Sequence, residues 1–255
     1  MNLIYVIVTF FVGAVFGSFA NVCIYRLPLE KSIIFPRSHC PFCKSLIKFY
    51  DNIPILSYLI LRGKCRSCNE KIPIKYLLVE VLCGIIFVAL FLKYGFTSNF
   101  FIYSLLMTAL IIISFIDIKY RIIPNVITIP GIPLGIFLSF FLNNISVLSS
   151  LIGVILAILI LGTVTYGYYL FTGLEGMGMG DIKLLAMLGA FLGWKSVLFI
   201  IFFSSLIGTL IGLLLIFILK KGRKYPIPFG PFLSLAGILY PFIGDRLIIF
   251  CLNLT

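Results

Sequence analysis

The chain has 255 residues, of which 62% are hydrophobic and 11% charged, and its formal net charge is +12. With a mean hydropathy of +1.20, it has far more apolar surface than a soluble domain of this length needs, so the composition excludes an ordinary soluble enzyme. Its long apolar runs lack the residue-by-residue alternation of outer-membrane barrels, and they predict an all-α, polytopic membrane protein.

The apolar runs predict eight transmembrane helices, because a spanning helix needs about 20 mostly apolar residues. The first run begins at Leu3 with no Lys or Arg before it, and no small-residue cleavage site follows. We therefore expect a membrane anchor and not a cleaved secretory signal. The sixth run is too short for a perpendicular crossing. The predicted spans are 3–25, 77–94, 100–117, 125–142, 147–171, 182–194, 196–219 and 229–250.

Basic residues predict how these spans are oriented. If the connecting segments alternate between sides, 17 of the 20 Lys and Arg residues lie on one side, and only Lys93, Lys195 and Arg246 lie on the other. The side rich in positive charge is the cytoplasmic one. The protein is therefore predicted to lie in the cell membrane (the inner or plasma membrane), with both termini on the outer side. A nucleic-acid surface is the alternative source of positive charge, but orientation already accounts for the bias and no nucleic-acid partner is expected.

Residues 28–76 form the one long polar segment and carry four of the seven cysteines, in CPFC (Cys40, Cys43) and CRSC (Cys65, Cys68). This paired C-x2-C pattern is typical of a structural zinc site, in which four thiolates fill a tetrahedral shell. Disulfides and a redox-active pair are the alternatives, and a cytoplasmic location disfavours disulfides. The predicted domains are a first helix (1–27), a cytoplasmic zinc-knuckle loop domain (28–76) and a membrane domain of several helices (77–255).

Besides Asp245, three of the eight acidic residues, Glu80, Asp117 and Asp181, fall within or at the ends of predicted spans. A charge at the bilayer centre costs about 2.5–3.5 kcal/mol on insertion scales, so such acids are candidates for function. Asp117 ends the third span and Asp181 opens the sixth. Because the chain crosses the membrane twice between them, both are predicted at the cytoplasmic edge, where the bundle can bring them together. Asp245 is expected to form an interfacial pair with the neighbouring Arg246.

Asp181 ends the glycine-rich stretch GMGMGD (176–181). Glycine permits a non-helical backbone that an extended peptide substrate can approach. Two adjacent aspartates can share one proton, so that one activates water while the other hydrogen-bonds the scissile carbonyl, and this pair predicts peptide hydrolysis. Alternatively, Asp181 caps the sixth helix, Asp117 is an interface residue balanced by Lys119 and Arg121, or both acids relay protons in a transporter.

Taken in order, these motifs resemble the type IV prepilin peptidases, bifunctional leader peptidases and N-methyltransferases of the GxGD aspartic protease class. The resemblance covers nearly the whole chain. Its motifs are GSFANVCIYRLP, the cysteine segment from PRSHCPFC to CRSCNEKI, KYLLVE, DIKYRIIPN, GMGMGDIKLLAMLGAFLGW and PFGPFL.

This resemblance implies a membrane aspartic endopeptidase that cuts the basic leader of prepilins and pseudopilins on the cytoplasmic side. It implies that Asp117 and Asp181 are the catalytic pair and that the four loop cysteines bind zinc. The expected partners are therefore the prepilin and pseudopilin precursors of pilus, secretion or DNA-uptake systems, together with the lipid bilayer.

The resemblance also implies that the new N-terminal residue is methylated with S-adenosylmethionine, through the N-terminal motif and the cytoplasmic loop. Glu80 is the candidate, because an acid at the entrance of the second span can orient the amine or offset the sulfonium charge. Gly17 and Asn21 are the other motif positions, with close helix packing and an interhelical hydrogen bond as their alternative roles. Leu77 and Ala20 depart from residues common in the family, which weakens the methyltransferase expectation but leaves the aspartates untouched.

Two other classes of function stay open at this point. A proton-coupled transporter would use Asp117 and Asp181 as a proton relay. A noncatalytic zinc-knuckle scaffold would need the cysteines but not the aspartates.

Overall fold

A computed structural model describes residues 3–173, 178–218 and 227–244, except for the side chain of Ile216. Apart from two isolated bridges, no β-structure occurs in these ranges, so the prediction of an all-α protein is confirmed. Residues 176 and 177 of the glycine-rich stretch, the predicted Asp245–Arg246 pair and the final residues of the last predicted span lie outside them.

Nine α-helices make up most of the described part of the chain. They are α1 Leu3–Arg26, α2 Leu56–Ile60, α3 Lys75–Tyr94, α4 Ser98–Tyr120, α5 Asn125–Leu138, α6 Val147–Thr172, α7 Met179–Leu192, α8 Trp194–Phe217 and α9 Gly230–Leu239. Short 3-10 turns at Leu27–Leu29, Phe49–Asn52 and Ser139–Phe141, and a π-helical turn at Tyr240–Gly244, lie between or extend these helices.

Each of the eight predicted spans overlaps one of these helices, and among the described helices only the short α2 was not predicted. Five described helices, α1, α3, α4, α6 and α8, are long and apolar enough to cross a membrane. By contrast, α7 has 14 residues, or about 21 Å against a hydrocarbon core of about 30 Å. A multi-pass membrane protein is thus confirmed, while eight crossings and the location of the termini stay predictions.

The chain forms two compact units, Met1–Ile112 and Ile113–Thr255. In the first unit, glycines let α1 pack closely against α3. A Cβ atom added to Gly13 would lie 2.7 Å from the carbonyl oxygen of Cys83, and one added to Gly17 would lie 2.6 Å from Cα of Glu80. Small residues permit such close contact between membrane helices.

The segment between α1 and α3 is attached to both helices. The buried guanidinium of Arg26, at the end of α1, donates hydrogen bonds to the carbonyl oxygens of Ser32 (2.9 Å) and Pro36 (2.6 Å). The backbone N–H of Ile55, just before α2, donates to Oε2 of Glu80 at 2.7 Å. Ile55 has φ +64° and ψ −54°, a conformation that costs about 1–3 kcal/mol in strain. The Glu80 carboxylate helps to hold this turn.

In the second unit α7 is the central helix. From Asp181 to Leu192 every side chain except Lys183 is buried, and α5, α6, α8 and α9 all contact the helix. Its contact with α6 is so close that a Cβ atom added to Gly189 would lie 2.6 Å from the carbonyl carbon of Gly153. Protein therefore surrounds α7, with Asp181 in its first turn.

Candidate active site and cysteine cluster

Asp117 lies in the last turn of α4 and is 5% exposed. Its Oδ2 accepts a hydrogen bond of 3.0 Å from the backbone N–H of Gly230. Gly230 is the first residue of α9, and Pro231 follows it in the first turn. The first N–H groups of a helix have no partner inside the helix and carry its positive dipole end, so this arrangement stabilises an ionised Asp117.

Asp181 lies in the first turn of α7 and is 8% exposed. Gly178 occupies the N-cap position of α7, so Asp181 is not the N-cap residue that the capping alternative required. The backbone of Gly178 and the charge of Asp117 both interact with the Asp181 carboxylate. The two aspartates, which are 64 positions apart in the sequence, thus lie within range of each other's charge in the second unit.

Ile123 packs between the N-termini of α7 and α9. A Cβ atom added to Gly180 would lie 2.9 Å from Cβ of Ile123, and one added to Gly230 would lie 3.1 Å from its Cδ1 and 2.6 Å from Oδ2 of Asp117. Glycine at both positions leaves room for this contact. Sequence reasoning assigned no role to Ile123 or Gly230, although Gly-Pro in PFGPFL is a recognisable helix start.

The four cysteines of the loop form one cluster. Their sulfur atoms all lie within 4.8 Å of one another, with Cys40 to Cys68 at 3.9 Å and Cys43 to Cys65 at 4.0 Å. Zn–S bonds of about 2.3 Å in a tetrahedron place sulfurs about 3.8 Å apart, so the cluster fits a zinc ion. All four are free thiols, which disagrees with the disulfide alternative.

Local hydrogen bonds favour the thiolate form at two of these positions. The Ser45 hydroxyl, with Sγ···Oγ at 2.9 Å, lowers the pKa of the Cys43 thiol to about 6. Backbone hydrogen bonds from Cys68 and Ser67 lower the pKa of Cys65. At Cys68 a backbone hydrogen bond from Glu70 also lowers the pKa, but burial and the neighbouring sulfurs raise it to about 12. Such a cluster of sulfurs needs a cation before all four can ionise together.

A surface network joins the second cysteine knuckle to the 3-10 turn at Phe49–Asn52. Arg66 donates to both carboxylate oxygens of Asp51, at 2.9 Å from Nε and 2.6 Å from Nη2. These hydrogen bonds lower the pKa of Asp51 below its usual range. The guanidinium also lies 5.5 Å from the ring centre of Tyr50.

The three candidate residues for methyl transfer meet where α1 packs against α3. Gly17 lies against the backbone of Glu80, and the side-chain amide of Asn21 donates to the carbonyl oxygen of Tyr76 at 2.9 Å. The structure thus contains both the close packing and the interhelical hydrogen bond given as alternatives for these residues. Asn21 and Glu80 also line a cavity of about 280 Å³ between the two helices and the cysteine segment, whereas Gly17 does not.

Comparison with known proteins identifies the family. Residues 11–94 match the bacterial peptidase A24 N-terminal domain, and residues 104–213 match the type IV leader peptidase family. Proteins named prepilin leader peptidase/N-methyltransferase are similar along most of their length. The one from Pseudomonas putida is 34% identical over 92% of this chain and 89% of its own, and the one from Pseudomonas aeruginosa is 35% identical over 96% and 92%. The chain belongs to the type IV leader peptidase family. A relative from Myxococcus xanthus is 38% identical over 88% of this chain and 66% of its own.

As a type IV leader peptidase family member, the chain is an enzyme of the class that the sequence motifs predicted. The match to the family contains both Asp117 and Asp181, and the N-terminal domain match contains all four clustered cysteines and Glu80. Gly230 lies beyond both matched ranges. No solved structure matches the chain.

Proposed function

We propose that the chain is a membrane aspartic endopeptidase that removes the basic leader of type IV prepilins and pseudopilins, and then methylates the new N-terminus. The observation that carries the first activity is the pair of buried carboxylates, Asp117 in the last turn of α4 and Asp181 in the first turn of α7, whose charges interact. The names of the similar proteins support both activities.

The surroundings of the two carboxylates support different roles for them. Gly230 N–H favours the ionised form of Asp117, so Asp117 is the general base and Asp181 holds the shared proton. Asp117 takes a proton from water as the water oxygen attacks the scissile carbonyl carbon, and Asp181 gives its proton to the carbonyl oxygen. The proton on Asp117 then passes to the leaving nitrogen as the carbon–nitrogen bond breaks, and Asp181 recovers its proton from the diol.

The charge pattern supports cleavage on the cytoplasmic side. Most Lys and Arg residues lie in segments predicted to be cytoplasmic, and the basic leader of the substrate would stay on that same side. Asp117 comes just before one segment that is predicted to be cytoplasmic, and Asp181 comes just after another. The scissile bond would therefore reach both aspartates at the inner edge of the bilayer.

The residues proposed for methyl transfer lie in the first unit of the chain. S-adenosylmethionine supplies an electrophilic methyl group on a positively charged sulfur. Gly17, Asn21 and Glu80 are the candidate residues for methyl transfer, with Glu80 as the group that offsets positive charge. Zinc held by Cys40, Cys43, Cys65 and Cys68 would be structural, because four thiolates leave no open position.

The peptidase proposal is tested with a coexpressed prepilin and single Asp117→Asn and Asp181→Asn variants, with Glu30→Gln as the control acid outside the pair. Loss of general acid–base catalysis is expected to slow cleavage at least about 100-fold for each aspartate, and Glu30→Gln is expected to cleave normally. Normal cleavage by either Asn variant would reject the dyad and favour the scaffold. Mass spectrometry of the pilin N-terminus reports cleavage and methylation together.

A further inference from the structure

The first unit contains a buried carboxylate whose hydrogen bonds come from neutral groups. Glu80 is 9% exposed and accepts a hydrogen bond from a neutral donor, the backbone N–H of Ile55, and the neutral hydroxyl of Ser18 is the other polar group that interacts with it. Within the described residues, no Lys or Arg forms an ion pair with this carboxylate. A buried charge is costly unless it is paired, so a cation that enters the adjacent cavity gains a favourable partner.

The cavity beside Glu80 suits a small organic cation. Its volume of about 280 Å³ is near the lower end of the roughly 300–1,000 Å³ usual for small-molecule sites. The rings of Tyr25 and Tyr58 line it, and aromatic faces attract organic onium ions. A hard metal ion needs several oxygen ligands close together, but of the other two acids that line the cavity, Asp51 is paired with Arg66 and Glu70 is exposed. The exposed Lys71 on the same wall provides a cation for a ligand carboxylate.

We infer that this cavity binds S-adenosylmethionine, with its sulfonium centre facing Glu80. The inference rests on the proposed methyl-transfer function and adds the place of the donor and the role of Glu80. A sulfonium ion keeps its positive charge at every pH. The amine that receives the methyl group must instead lose its proton before it reacts, so it is the weaker match for a carboxylate partner.

The charge of the ligand provides the test. S-adenosylmethionine is a sulfonium cation, and S-adenosylhomocysteine is the same molecule with a neutral thioether. Equilibrium dialysis of the full-length protein in lipid nanodiscs measures the Kd of both ligands for wild type, Glu80→Gln and the control Glu30→Gln. The Glu80→Gln side chain keeps an acceptor for the Ile55 N–H but loses the charge. The preference for the sulfonium ligand is expected to fall about tenfold in Glu80→Gln alone.

Two results would overturn the role of Glu80. An equal loss of affinity for both ligands would mean that Glu80 only maintains the fold, and an unchanged preference would mean that it does not face the sulfonium. A shifted KM for the pilin peptide with unchanged ligand preference would assign Glu80 to the amine instead, which also contradicts the inference.

A measurement on the wild type covers the case in which Glu80→Gln loses its zinc and does not fold. Ultraviolet crosslinking of radiolabelled S-adenosylmethionine to wild type, followed by peptide mapping, is expected to label residues within 18–26, 48–58 or 71–80. Label confined to residues after 112 would contradict the cavity assignment. If the wild type methylates pilin but labels elsewhere, only this inference fails; if the wild type forms no methylated product, the proposed methyltransferase function itself fails.

Discussion

The backbone N–H of Gly230 donates a 3.0 Å hydrogen bond to Oδ2 of Asp117, across 113 positions of sequence. This contact joins the start of α9 to the end of α4 and gives one of the two aspartates a fixed partner. A backbone N–H binds an ionised carboxylate oxygen more strongly than a protonated one, so the contact disfavours a proton on Oδ2 of Asp117.

Substitution of Gly230 should disturb the catalytic pair directly. In Gly230→Ala the new Cβ atom would lie 2.6 Å from Oδ2 of Asp117, so the carboxylate must move. A displacement of about 1 Å at a reacting group can cost on the order of 100-fold in rate, and we expect a loss of that size in kcat for prepilin cleavage.

The control for this change is Gly162→Ala in α6, where an added Cβ atom meets nothing within 4 Å. It is expected to cleave at the wild-type rate. Wild-type cleavage by Gly230→Ala would show that Asp117 does not depend on this contact.

Gly17→Ala should separate the two activities. The added Cβ atom would lie 2.6 Å from Cα of Glu80, forcing α1 away from α3 in the unit that holds the proposed methyl-transfer residues. We expect methylation of the cleaved pilin to fall more than cleavage does, measured as the unmethylated fraction of the product by mass spectrometry. Gly167→Ala, at a position with open space around it, should alter neither, and an equal fall in both activities for Gly17→Ala would argue against separate sites.

The cysteine cluster should bind about one zinc ion per chain, because four thiolates complete a tetrahedral shell. Cys65→Ala is expected to lose most of that zinc and to expose residues 28–76 to proteolysis, since the segment has little apolar core of its own. Cys23→Ala is the matched control, because Cys23 is buried in α1, away from the cluster. The zinc content of each variant is measured by mass spectrometry. Full zinc occupancy in Cys65→Ala would reject a four-cysteine site.

The Asp51–Arg66 pair should stabilise the cysteine segment only modestly. The Asp51 pKa is lowered in the folded state, so its contribution is present above the unfolded pKa of about 3.9 and is lost as pH falls through the folded value. Because the Arg66 side chain is 49% exposed and solvent screens its charge, a double-mutant cycle of Asp51→Asn and Arg66→Gln should give about 0–1 kcal/mol at neutral pH, reduced by salt. Proteolysis rates of the segment provide the measurement, and a coupling that salt does not weaken would contradict this view.

The local features of the fold were predictable from sequence. Apolar runs located every long helix of the described residues, and the short sixth run located α7, which is too short for a perpendicular crossing. Cysteine spacing anticipated the cluster, because each C-x2-C needs only a local turn. Counting membrane crossings predicted that Asp117 and Asp181 lie on the same side, and this side stays a prediction, although the charges of the two carboxylates do interact.

Contacts between distant segments were not predictable in this way. The hydrogen bonds from Gly230 to Asp117 and from Ile55 to Glu80 join backbone groups to side chains 113 and 25 positions away. A backbone N–H leaves no mark in the residue type, and the strained turn at Ile55 runs against the usual preference of a β-branched residue. The packing of Ile123 between two glycines likewise depends on the angle at which helices approach, which hydrophobic periodicity does not specify.

The burial of α7 among other helices determines how strongly the lipid bilayer can influence the surroundings of Asp181. Lipids reach the outer helices of the second unit, which must adapt to a thicker or thinner bilayer by tilting. Because other helices of the same chain surround α7, α7 does not have to tilt in this way, and the Asp181 carboxylate in its first turn stays among protein groups whatever the thickness of the bilayer. A change of membrane composition should therefore affect the binding of substrate more than the reactivity of Asp181 towards bound substrate.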